Sequence, residues 1–224
     1  MNQLEITLPD ADPLRCSAIL FDMDGVLVDS IPLIEKHLRA WAEHHSLDPR
    51  KVIQASPGRT NEELVREVAP HLDPLREGQL LLEREVADVE GLQACPGACR
   101  LLGSMPADQW AVVTSGHRPV AMNRLEAAGL PLPGILVTAD DVLRGKPDPE
   151  GCLSAAHQLG VSPQDCLVIE DAAAGILAAR AAGMLSLLVT RTSDGHASGD
   201  APHDLSVASL DLLGLRVDGN ALPG

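Results

Sequence analysis

The chain has 224 residues, enough to bury one large core and a second smaller one. Apolar residues make up 45% and charged residues 22%, a globular balance, and no stretch has the apolar length of a membrane span. The formal net charge of −15 repels nucleic acid and anionic membranes, so neither is an expected partner, and a phosphorylated substrate would have to be met by local cations.

The first sixteen residues, MNQLEITLPDADPLRC, lack a basic start followed by an apolar block and do not read as a signal peptide. With Pro9 and Pro13 they read as a polar leader, extended or loosely held. The five cysteines are an odd number and suit reduced thiols, which together with the leader points to the cytoplasm. Cys95 and Cys99 lack a second ligand pair and read as small buried hydrophobes rather than as a metal or redox site.

An apolar run from Ala18 to Phe21 predicts a strand buried on both faces. It leads directly into Asp22-Met23-Asp24-Gly25. On extended chain, residues two apart point the same way, so Asp22 and Asp24 share the strand's carboxyl end. Two such charges repel unless a cation or a proton lies between them. Residues 31–90 change character. Leu33, Ile34, His37, Leu38, Trp41 and Ala42 recur at helical spacing. Asn61 is placed to cap a second helix that Pro70 ends, and a third helical pattern covers Leu75–Val86. The block reads as a small all-helical unit inserted after the first strand, dividing the chain into a core of 1–30 and 91–224 and an insert of 31–90.

From residue 96 the pattern alternates. Helices are predicted through Leu102, over Val120–Ala128, Glu150–Leu159 and Ala172–Ala182. Strands are predicted over Trp110–Thr114, Ile135–Thr138, Cys166–Glu170 and Leu185–Thr190. Alternation of this kind gives parallel βαβ units, hence an α/β fold with a doubly wound sheet. Residues 191–204 read as a loop, Leu205–Leu213 as a last short element, and the tail from Arg216 as frayed.

Ligands of open α/β sheets bind beyond the carboxyl ends of the strands. Thr114 and Ser115 close one strand, where a hydroxyl and backbone N–H groups can hold a phosphate or simply cap a helix. Arg118 follows, either helping a phosphate or solvated. Lys146 lies between Gly145 and Pro147, a point charge on a restrained loop. Glu170 and Asp171 end another strand. Facing Asp22 and Asp24, they would make a hard-oxygen site suited to Mg²⁺.

These stretches, Asp-x-Asp, Thr-Ser, Lys-Pro and Glu-Asp in this order, closely resemble the four motifs of phosphatases of the haloacid dehalogenase (HAD) superfamily, with the helical insert matching a small cap domain. The resemblance implies Asp22 as nucleophile and Asp24 as general acid/base. Thr114 and Ser115 would hold phosphoryl oxygens, and Lys146 would orient and neutralise. Asp22, the Asp24 carbonyl, Asp171 and Glu170 would hold Mg²⁺. It also implies a small phosphorylated metabolite as substrate and a monomer or weak dimer. The loop Ser56–Thr60 supplies Arg59 and Thr60 as candidates for reading the substrate, with a solvated interhelix turn as the alternative. Sugar-phosphate and glycerol-phosphate phosphatases are the nearest resemblance. β-Phosphoglucomutase is similar too, but carries a His twelve residues after the nucleophile, where this chain has Ile34. A catalytically silent regulatory protein on the same fold is the alternative of another class.

Overall fold

The computed structural model describes residues 3–9, 11–190 and 201–217. The leader is not loose. Leu4, Ile6 and Leu8 alternate with Glu5 and Thr7, the pattern of a half-buried strand, and form β1 (Leu4–Thr7). It pairs antiparallel with β2 (Leu14–Cys16). Burial of Leu4 and Ile6 holds this hairpin on the core. The chain then enters β3 (Ala18–Phe21), whose four residues are all buried.

Residues 31–87 form four helices around their own apolar cluster: α1 (Ile31–His44), α2 (Pro49–Ala55), α3 (Asn61–Val68) and α4 (Pro74–Ala87). Pro32, Pro49 and Pro74 sit in first turns, where a missing N–H costs nothing. Leu38, Trp41, Val52, Leu64, Val65 and Leu81 are among its buried members, and Trp41 Nε1 donates to Glu77 Oε2 at 3.0 Å. Sequence periodicity missed α2, because seven residues carry too few repeats. It also misplaced a cap: Thr60, not Asn61, caps α3, accepting from the Glu63 N–H while the Glu63 side chain accepts from the Thr60 N–H.

The rest alternates: α5 (Ala98–Gly103), β4 (Trp110–Val113), α6 (Arg118–Ala127), β5 (Leu136–Val137), α7 (Glu150–Leu159), β6 (Cys166–Glu170), α8 (Ala173–Ala181), β7 (Leu185–Val189), β8 (Leu205–Val207) and β9 (Gly214–Val217). Helix α6 begins at Arg118, two residues before the expected start, because Pro119 fits its first turn. The predicted strand 135–138 shrinks to two residues, since Thr138 turns to cap a short 3₁₀ segment. The tail through Val217 is paired rather than frayed. Strand β9 adds antiparallel to β1, with Arg216 opposite Glu5. The predicted loop lies outside the described residues from 191 to 200, and the last short element resolves into β8 and a 3₁₀ turn at Leu210–Leu212.

Six strands form a parallel sheet in the order β5-β4-β3-β6-β7-β8. The unbroken apolar runs follow from burial on both faces. Ile19, Phe21, Trp110, Val112, Leu167 and Ile169 point into one cluster, while Ala18, Leu20, Ala111, Val113, Cys166 and Val168 point into the other. Successive strands build outward from β3 to β5 on one side and from β6 to β8 on the other. The order reverses beside β3, the switch point at which a crevice opens beyond the strand ends. All five cysteines are free. Burial pushes the Cys152 and Cys166 thiols up to about 11, so both stay protonated at neutral pH.

Candidate functional site

Strand β3 delivers Asp22 at its carboxyl end, the Asp22 N–H donating to Ile169 O of β6 at 2.9 Å. The chain then turns through Gly25, at φ 81°, and returns on itself with Gly25 N–H donating to Val28 O at 2.8 Å. A left-handed residue is needed there, and glycine takes that conformation without strain. Lys146, on the loop before α7, places its ammonium 2.5 Å from Asp22 Oδ1 and also donates to Glu170 Oε1. The other Glu170 oxygen accepts the N–H groups of Asp171 and Ala172, both at 2.9 Å. Those amides lead into α8, so backbone donors hold Glu170 where its charge is favourable. Gly175 is part of this arrangement: a Cβ there would overlap the Glu170 carboxylate.

The electrostatics are those of a crowded anionic cluster. Burial raises the Asp22 carboxyl well above the usual carboxylate range, Lys146 pulls the other way, and Glu170, Asp171 and Asp24 add to the rise. Burial also works against the Lys146 ammonium, but Asp22 and Glu170 outweigh it and raise that group above an ordinary lysine. One oxygen each from Asp22, Glu170 and Asp171 lie within 4.8 Å of one another. Three hard oxygen donors at that spacing, on a group that burial drives toward protonation, fit a small divalent cation. Asp24 contributes no side chain to this cluster. Its carboxylate is held elsewhere, by Ser30 Oγ at 2.5 Å and Arg124 Nη1 at 2.7 Å, so any part in cation binding falls to its carbonyl.

Thr114 and Ser115 follow β4. Thr114 Oγ1 accepts from Gly116 N–H at 3.1 Å, and Ser115 Oγ donates to Gly58 O of the helical insert at 2.9 Å. Gly58, at φ +74°, lies against the start of α8, where a Cβ on it would come 2.7 Å from the Ala174 Cβ. The insert thus roofs a cavity of about 360 Å³ lined by Asp22, Asp24, Arg59, Thr114, Ser115, Glu170 and Asp171. Lys146 borders a small adjoining pocket behind Thr114.

Of the substrate-reading candidates, only Arg59 lines the cavity, its guanidinium donating to Ala55 O. The Thr60 hydroxyl is committed to capping α3. Arg118 turns away, pairing with Asp141 Oδ2 at 2.7 Å and donating to Leu136 O at 3.0 Å, half exposed rather than simply solvated. His117, which precedes the first turn of α6, spans the seam. Its Nδ1 lies 2.6 Å from Asp140, and its Nε2 lies 3.5 Å from Glu62 of the insert, within ion-pair range but without a formed hydrogen bond. Glu62, then Asp140, outweighs partial burial and pushes its pKa up to about 9. Arg124 and Glu85 were missed. The signal was there: with Val120, Ala121 and Leu125 buried, position 124 falls on the apolar face of α6, and a charge on such a face needs a partner.

The sequence profile of haloacid dehalogenase-like hydrolases matches residues 16–183. Hexitol phosphatase A of Escherichia coli is 41% identical over 186 residues, covering 81% of this chain and 86% of that protein. Glycerol-1-phosphate phosphohydrolase 2 of Saccharomyces cerevisiae is 35% identical over 194 residues, covering 81% of this chain and 77% of that one. Among solved structures, β-phosphoglucomutase from Clostridium difficile superposes with a TM-score of 0.76 at 24% identity, over 88% of this chain and 92% of that one, a likeness of fold.

Proposed function

The chain belongs to the haloacid dehalogenase-like hydrolase family, and from that premise we propose that it hydrolyses a small sugar or polyol phosphate through a phosphorylated Asp22, with Mg²⁺ as cofactor. The observation that carries the reading is Asp22 itself, buried beside Glu170 and Asp171 with an ammonium 2.5 Å from one oxygen. Relatives above 30% identity that act on hexitol and glycerol phosphates support the substrate class. A cavity of about 360 Å³ suits a ligand of that size.

Uncatalysed phosphate-monoester hydrolysis needs acceleration up to roughly 10²¹-fold, so positioning and charge must supply most of it. Lys146 keeps Asp22 oriented and offsets its repulsion from an anionic phosphate. An Asp22 oxygen bonds to phosphorus as the bond from phosphorus to the leaving oxygen breaks, and Asp24 gives that oxygen a proton. Asp24 then takes a proton from a water whose oxygen bonds to phosphorus as the bond from phosphorus to the Asp22 oxygen breaks, releasing inorganic phosphate and restoring Asp22. Thr114 Oγ1 and the N–H groups that follow it hold phosphoryl oxygens. Asp22, Glu170 and Asp171, with the Asp24 carbonyl, would hold Mg²⁺, which supplies further positive charge beside the phosphate. Residues 31–90 act as a cap that excludes water and reads the leaving group, Arg59 foremost. A cytoplasmic monomer or weak dimer completes the proposal; no helix among the described residues is long and apolar enough to cross a membrane.

Hydrolysis is favoured over phosphomutase chemistry by the cap's chemistry. Ile34 lines the cavity, while His37, the nearest histidine along α1, is buried with Nε2 bonded to Asp88 at 3.0 Å. The test is phosphate release from glycerol, hexitol, hexose, deoxyhexose and glycolate phosphates, with Mg²⁺ and with a chelator. Mg²⁺-dependent turnover of a sugar or polyol phosphate is expected. No release from any substrate would leave a silent regulatory protein, and an isomerised hexose phosphate in place of free phosphate would mark a mutase.

A further inference from the structure

We propose that Arg124 is a positioning residue for Asp24, and that it ties the placement of that carboxylate to the cap through Glu85. The inference rests on the reading of Asp24 as acid and base. Arg124 leaves α6 on its buried face, and its side chain is 3% exposed. Nη1 donates to Asp24 Oδ1 at 2.7 Å, and Nη2 donates to Glu85 Oε1 of α4 at 3.2 Å. The second Glu85 oxygen accepts from Asn61 Nδ2 of α3 at 3.0 Å, so the carboxylate is shared between cap and core. One residue away, Asn123 Nδ2 donates to Val86 O at 3.1 Å and fixes the same seam. Among the described residues, both side-chain bonds to Asp24, from Arg124 and from Ser30 at 2.5 Å, reach Oδ1. That pins the carboxylate and leaves Oδ2 for proton transfer.

A desolvated guanidinium is tolerable only when it is paired. With the cap seated, Glu85 balances its charge, and Arg124 orients Asp24 without claiming it as its sole counter-ion. With the cap lifted, Glu85 leaves and Asp24 becomes the only anion bonded to the guanidinium. Cap seating therefore sets how firmly the Asp24 carboxylate is oriented by Arg124 and Ser30. The Arg124 Nε, buried and without a hydrogen-bond partner among the described residues, shows that the side chain is placed for these two carboxylates rather than for maximal bonding.

The experiment is a double-mutant cycle read in kcat and KM on a hexitol or glycerol phosphate. Arg124→Leu is expected to lower kcat about 10²-fold, the lower end of what general acid/base groups contribute, with KM within about threefold. Arg124→Lys should recover part of that loss, and Glu85→Gln should lower kcat about tenfold. In an Asp24→Asn background the Arg124 substitutions should add nothing further, because the group they position is already disabled. If Arg124→Leu does not fold, the same cycle run with Arg124→Lys and Glu85→Gln decides. Wild-type kcat in these variants, or losses that multiply with that of Asp24→Asn, would overturn the proposal. Wild-type protein assayed alongside separates this from failure of the phosphatase reading: no wild-type turnover overturns both.

Discussion

The ends of the sheet strands and the underside of the helical cap meet at one cavity, yet they are built on opposite principles. At the strand ends, Asp22, Lys146 and Glu170 are buried and locked by hydrogen bonds to one another and to backbone amides. The cap keeps its apolar cluster to itself, around Trp41 and Leu64. It meets the core through polar contacts such as Ser115 with Gly58, His117 with Glu62, and Arg124 with Glu85. Buried charge networks hold a geometry rigidly because leaving a member unpaired is costly. A partly solvated contact such as His117 with Glu62 parts and re-forms at smaller cost, while the buried pair of Arg124 with Glu85 is held like the strand-end network. The contrast teaches that the carboxylates grouped around Asp22 are fixed by buried charge, while the insert is joined to the core across a largely polar seam.

The sharpest way to break that contrast is Asp22→Asn. It keeps the shape but removes the nucleophile, and phosphate release should fall by at least about 10⁴-fold; wild-type-like release would refute the assignment. Next is Gly175→Ala, which drives a methyl into the Glu170 carboxylate. Overpacking of that kind costs about 1–3 kcal/mol in denaturant unfolding. It should also raise the Mg²⁺ concentration for half-maximal activity, and an unchanged Mg²⁺ dependence would detach Glu170 from the cation. On the cap side, Arg59→Ala should raise KM about tenfold and leave kcat nearly intact, as expected of binding that is uniform through the reaction. A fall in kcat alone would move Arg59 into the chemistry.

The smallest effect is the His117 contact. Its folded pKa, about 9, lies above the ordinary histidine value of 6.5. The contact therefore adds full stability below about pH 6.5, and that contribution is lost as pH rises through about 9. His117 is partly solvated, so the change should be under about 1 kcal/mol. His117→Gln should abolish it in denaturant titrations compared at about pH 6 and pH 10. A dependence that survives the substitution would place it elsewhere.

Strand ends were legible because their pattern is local. Three apolar runs, each followed by polar residues, announce the heart of the parallel sheet together with Asp22, Thr114, Glu170 and Asp171. Lys146 was legible through the Gly and Pro that flank it. The leader was misread because the prolines at 9 and 13 outweighed the alternation of Leu4, Ile6 and Leu8, whose partner strand lies some two hundred residues away at Gly214–Val217. The seam was the least legible part. Pairings such as Arg124 with Glu85 depend on how a helix of the insert lies against a helix of the core, and no spacing along the chain encodes that angle. Thr60 and Arg118 were singled out for their chemistry, but one caps a helix and the other answers Asp141.

The tight approach of Gly58 to Ala174 has a further consequence. Bare backbone against a single methyl lets the lid come flush, so the two positions work as the rebate of a door. A leucine at position 174 would be a doorstop, holding the lid ajar beside Asp22. Solvent would then leak in and substrates of many shapes would be admitted. The fit of the lid thus depends on the side chain that Gly58 lacks and on how little Ala174 carries.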